Sequence, residues 1–167
     1  NPKKSKEITL RECIGNLPSL NPGESSNLKW HFAKAHNERE ILAMKHTPEG
    51  KSALKNPVYY PKKPNGDPIK GFHNTYKRMK WDEPSPARAM NSGNLGGHNN
   101  AHPGRILEDG TYSDPRVLTL RELFIVSSIN PDWELPEWAT DNFIRQVIGE
   151  AIPPNFAKAI CSGIGEK

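Results

Sequence analysis

The stretch Arg116-Val117-Leu118-Thr119-Leu120-Arg121-Glu122-Leu123-Phe124 decides how this chain is read. Thr119 and Glu122 stand three apart. At that spacing a threonine hydroxyl caps the first turn of a helix while the glutamate reaches back to the cap's own N–H. Leu120, Leu123 and Phe124 then share one face at helical spacing. The string Thr-Leu-Arg-Glu occurs again at Thr9-Leu10-Arg11-Glu12, where Gly15-Asn16-Leu17-Pro18 stops the helix early. The flanks differ, so one cap is used twice and there is no repeat.

Working outward, a helix is predicted from Asn37 through Ile41-Leu42-Ala43-Met44, and another over Asp141 to Ile148 with the stripe Phe143, Ile144, Val147 and Ile148. Pro153-Pro154 opens a last helix, since proline is tolerated in a first turn. Its stripe of Phe156, Ala157, Ile160, Cys161 and Ile164 needs a partner surface. Between Thr47 and Pro115 periodicity is weak. Val58-Tyr59-Tyr60 and Ala87 to Met90 read as short strands, and Asn91 to Asn100 as a Gly/Asn-rich loop able to approach a ligand.

The composition fits a small core in long loops, with 34% hydrophobic residues, 16 Pro and 13 Gly in 167 residues. Charge is uneven. Lys51 to Arg88 holds nine Lys/Arg against three acids, whereas Glu108 to Glu150 holds nine Asp/Glu against three Arg. Such polarity offers a basic face to an anionic partner, or else a solvated lysine-rich surface. Cys13 and Cys161 read as small core residues, and the six histidines lack metal-ligand spacing. No apolar run reaches membrane-spanning length, so a soluble, cytoplasmic protein is expected. The chain begins without Met, which suggests a piece of something longer.

No self-contained catalytic set appears. Phe72-His73-Asn74-Thr75-Tyr76-Lys77-Arg78-Met79-Lys80-Trp81 interleaves cations with aromatics, and Arg, Lys and Asn are the side chains that hold phosphates or read base edges. Trp81 and Phe72 are expected in the core, whereas Lys77, Arg78 and Arg88 are expected on DNA.

Several strings resemble the C5-cytosine DNA methyltransferases. His102-Pro103 followed by Arg116 to Leu123 resembles the family's ninth motif, and Asn130-Pro131-Asp132-Trp133 the segment after it. Arg145-Gln146-Val147-Ile148-Gly149-Glu150-Ala151-Ile152-Pro153-Pro154 is similar to the tenth motif. Tyr76 to Pro86 resembles a string of many family recognition domains, and Thr9 to Pro18 resembles that domain's entry. Two places depart from the pattern: Glu150 stands where asparagine is frequent, and Pro86-Ala87-Arg88-Ala89 replaces Pro-Thr-Ile-Thr.

The resemblance implies an α+β fold: a loop-rich target-recognition domain with few short strands over residues 1–138, and tenth-motif helices over 139–167 that pack on an absent α/β catalytic domain. It implies a share in transferring methyl from S-adenosylmethionine to a cytosine flipped out of duplex DNA. The family's cofactor loop, Pro-Cys nucleophile, Glu-Asn-Val and Gln-Arg-Arg strings are not in this sequence. This chain alone is therefore expected to be inactive, as a fragment or as one subunit of a split enzyme, and to need a partner carrying those motifs. Lys77, Arg78 and Lys80 are expected on phosphates, and Arg88, Asn91, Ser92, Asn94 and His98 near base edges. Gly149, Glu150, Ala151 and Ile152 would border the cofactor, and Arg116, Thr119 and Glu122 would organise the domain. The competing reading is a DNA-binding or protein-interaction module without catalysis.

Overall fold

The first four helices are short, and each of their starts is capped. A computed structural model describes residues 6–162. Thr9 caps α1 (Leu10–Ile14) with the reciprocal glutamate bond, and Asn37 caps α2 (Glu38–Lys45) by accepting from the N–H of Glu40. Thr119 repeats the reciprocal cap on α3 (Leu120–Val126), and Thr140 caps α4 (Asp141–Glu150). Each cap satisfies an N–H group that the first turn of a helix leaves without an intrahelical partner. α4 runs two residues beyond Ile148, and α5 covers Pro154–Ser162. Ile164 lies outside the described residues.

Two apolar cores carry the chain. In the first, Leu10 and Ile14 of α1 meet Leu120, Leu123 and Phe124 of α3 and Ile144 and Ile148 of α4, with Met79, Trp81 and Leu118 between them. In the second, Ala43 and Met44 of α2 pack with Ala53, Tyr76, Leu95, Ala101 and Val117. Val117 and Leu118 face different cores, as neighbours on extended chain must. Ala101 bridges Arg78 on one side and Val117 on the other, which stitches the two cores along one seam.

The fold is loop-rich, with few helices and little strand. Among the described residues the β-pairing consists of isolated bridges. The strands expected at Val58–Tyr60 and Ala87–Met90 form none of them. The N–H groups of Val58 and Tyr59 both bind the Asn56 side chain, a local bond that competes with ladder pairing. Arg88 curls back onto the Pro86 carbonyl, 2.8 Å away.

Ile144 and Ile148 of α4 are buried in the same interior as α1 and α3. Two further expectations are corrected. Phe72, expected in the core, is 71% exposed, while Trp81 is buried with its indole N–H on the Gly104 carbonyl. Cys161 is exposed on α5, and Cys13 is half-buried against the first core.

Candidate nucleic-acid interface

A buried ionic cluster underlies the surface. Arg116 is fully buried and donates to Glu122, to Asp114 and to the Leu20 carbonyl. Glu122 also accepts from the Thr119 N–H, so the helix cap and the ion pair share one carboxylate. Burial pushes the Glu122 carboxyl up, and the Arg116 guanidinium more than reverses this, holding it at about 2. His102 lies beside them with Nδ1 accepting from the Gly104 N–H, a bond that needs the neutral ring. Burial, helped by Arg116, brings that imidazole down to about 4. Every member has a partner, as a buried cluster requires.

The residues expected on DNA separate into distinct environments. Arg78 is not a surface group. It is fully buried and donates to the carbonyls of His102, Met44, Ser113 and Asp114, so it cannot hold a phosphate without dismantling that cage. Ser92 is buried too. Arg88 is half-buried, spends donors on Pro86 and Asn99, and lines a depression with Gly149 and Ala151. Burial lowers its guanidinium to about 10. Lys77 and Lys80 line a small groove with Glu83, Pro84 and Asn99, and Lys80 ion-pairs with Glu83. Asn91, Asn94 and His98 are exposed, the last set edge-on to the exposed ring of Phe72.

The tenth-motif string divides its side chains between this interior and the outside. A Cβ on Gly149 would come within 2.5–2.7 Å of the Ala89 and Met90 backbone, so the open face of this glycine is already filled by the chain's own loop. Gly149 therefore does not offer that face to a cofactor. Glu150 accepts a bond from Gln146, and Ala151 and Ile152 are exposed. Continuous with the buried edge of α4, Phe143, Ile144, Val147 and Ile148 line an apolar groove of about 470 Å3 with Trp133 and Trp138. Trp133 and Trp138 are 60% and 70% exposed. α5 buries no side chain at all.

A second cleft, polar and about 570 Å3, opens between the 90–94 loop and the start of α4. Lys34, His36, Asn142, Arg145 and Gln146 line it beside Asn91 and Asn94. Sequence reading gave none of those five a role in recognition. Arg145 and Gln146 sat in the tenth-motif string, but Lys34, more than a hundred residues away, had no local signal linking it to them.

Over residues 1–166 the sequence matches the family model described as C-5 cytosine-specific DNA methylase. The chain belongs to that family. It is 47% identical over 153 residues to the Type II methyltransferase M1.HgaI of Avibacterium volantium, covering 92% of this chain and 43% of that protein. It is 26% identical over 163 residues to M1.HphI of Haemophilus parahaemolyticus, covering 98% and 38%. A third relative, M.AquIB of a Picosynechococcus species, is 30% identical over 107 residues, covering 59% and 68%. The chain thus spans less than half the length of the first two relatives. In this methylase-family chain the string that resembles the ninth motif is the buried Arg116–Glu122 cluster, and the one that resembles the tenth is α4 with its bare outer face. None of the described helices is long and apolar enough to cross a membrane.

Proposed function

We propose that this chain is the target-recognition and C-terminal portion of a DNA cytosine-5 methyltransferase. In this reading it grips double-stranded DNA and presents a site to a catalytic part that carries the cofactor loop and the Pro-Cys nucleophile. The two parts are joined in one polypeptide or meet as separate ones. S-adenosylmethionine is held mainly by the catalytic part, and this chain contributes the exposed edge at Glu150, Ala151 and Ile152. Methyl transfer from that cofactor is chemistry the catalytic part supplies.

The observation that carries this reading is the two-sided use of α4. Arg145 is buried towards the interior, whereas Phe143 and Val147, with the buried Ile144 and Ile148 at its floor, line an apolar groove beside Trp133 and Trp138. An exposed apolar groove flanked by two exposed tryptophans is a candidate interaction surface. The family's catalytic strings are also missing from the sequence. The third relative adds support, since 107 aligned residues cover 68% of it, so that methyltransferase chain is itself short.

In the recognition role, Lys77 and Lys80 approach phosphates while Asn91, Asn94 and His98 lie toward base edges, with Arg88 beneath the loop. Arg116, Thr119 and Glu122 hold the platform. The test is duplex binding by the full chain as a function of salt. Lys77→Ala should flatten the slope of log affinity against log salt by about 0.9 for a lost phosphate contact. An unchanged slope removes Lys77 from the interface, and no duplex binding at low salt rejects the recognition reading.

A further inference from the structure

The cleft beside α4 contains a cation whose bonding is incomplete. Arg145 is buried, its Nε pairs with Asp141 at 2.7 Å and its Nη1 donates to the Leu118 carbonyl at 2.9 Å. Its Nη2 has no partner. A buried guanidinium nitrogen left unbonded is costly, and it marks a place where an acceptor belongs. Lys34 supplies a second cation across the cleft, with Nζ 2.6 Å from the Asn142 amide oxygen. Gly93 lets the loop backbone pass between the two, since a Cβ there would stand 3.0 Å from Lys34 Nζ and 3.1 Å from Arg145 Cδ.

The neutral groups are oriented as donors. The amide oxygen of Asn94 accepts from the Gly96 N–H and that of Asn142 accepts from Lys34, which leaves both amide NH2 groups to donate. His36 accepts from the Val117 N–H through Nε2, so its ring is neutral and brings no charge. Asp141 is the opposing carboxylate and offsets one of the two cations, leaving the cleft positive by one charge. An acceptor-rich anion matches the two cations and the two amide NH2 groups, beside which the buried Asp141 Oδ2 is an acceptor that also lacks a partner.

We propose that this cleft is an anion site that takes one phosphate group, bound by Lys34 and Arg145 and fenced by the amides of Asn94 and Asn142. Two sources share that chemistry: a phosphodiester of bound DNA, and a free phosphate. The first rests on the recognition reading above, and the second stands without it.

The test uses the 15N-labelled full chain titrated with inorganic phosphate, with chloride matched for ionic strength. Saturable shifts are expected at the Gly93 backbone amide and at the Asn94 and Asn142 side-chain amides. Lys34→Glu should weaken them about tenfold with the fold unchanged, and Asn142→Asp should weaken them too. These surface variants avoid Arg145, whose loss would disturb packing. Shifts scattered over the basic 51–80 segment, or equal affinity in Lys34→Glu, overturn the site. A short duplex then separates the sources. Shifts at the same amides, reversed by excess inorganic phosphate, assign the site to DNA. Duplex binding that leaves these amides still assigns it to free phosphate, and failure of the duplex to bind at all rejects the recognition reading while the phosphate titration still decides the site.

Discussion

Arg116 donates to both carboxylate oxygens of Glu122, at 2.8 and 3.0 Å, with neither side chain reaching solvent. The pair fastens the seam between the two cores to the first turn of α3. Glu122→Gln keeps the shape and the cap acceptor but leaves the guanidinium charge short of a partner. A loss of about 3–5 kcal/mol is expected, the usual effect of breaking a buried pair from one side. Urea denaturation reads it, and a loss below about 1 kcal/mol would show that the pair behaves as a solvated one.

Arg78 and Lys77 are neighbours with opposite fates. Arg78→Ala abandons three buried carbonyls and a part-buried fourth, and should destabilise the chain by about 3 kcal/mol or more. Lys77→Ala should leave stability within about 0.5 kcal/mol. Thermal unfolding of the two variants side by side gives the comparison. An Arg78→Ala protein of ordinary stability would put that guanidinium back on the surface.

Acid should unfold the chain in two stages. His102 and His36 are each lowered to about 4, by burial first and then by neighbouring cations, from an ordinary value of 6.5. The unfolded chain therefore takes up protons that the folded chain refuses, and stability falls as pH drops from 6.5 towards 4. The slope is about 1.4 kcal/mol per pH unit for each such histidine. Glu122, held at about 2 against an ordinary 4.5, contributes stability that is full above 4.5 and lost as pH falls towards 2. Urea midpoints across this range should show His102→Asn flattening the upper stage. A flat profile between 6.5 and 4 in the parent chain contradicts the neutral-histidine assignment.

Gly149→Val should push α4 off the Ala89–Met90 backbone at a cost of about 1–3 kcal/mol, the range for overpacking. Because α4 also carries Arg145 to the Ser92 carbonyl, amide shifts in the 89–94 loop should follow. An unshifted loop would mean that the helix and loop are not coupled there.

What could be read from the sequence was local. The caps at Thr9 and Thr119 were legible because each is complete within four residues. Arg78 misled because a cation among cations looks like a phosphate ligand until its carbonyl cage is assembled from residues 44, 102, 113 and 114. Asn56 suppressed the strand at Val58–Tyr60 with two bonds that no hydrophobic pattern reveals. The cleft at Lys34 and Arg145 was invisible for the same reason, since its halves meet only in the folded chain.

In the proposed division, recognition resides here and chemistry elsewhere, joined across the groove of Trp133, Trp138, Phe143, Val147 and Ile152. The direct measurement is methyl transfer from S-adenosylmethionine to duplex DNA by this chain, by a catalytic part carrying the cofactor loop and Pro-Cys, and by their mixture. Transfer by the mixture alone, abolished by Val147→Asp without loss of the chain's own stability, is the predicted result. Methylation by this chain alone, or undiminished site-specific methylation by the catalytic part without it, would contradict the account.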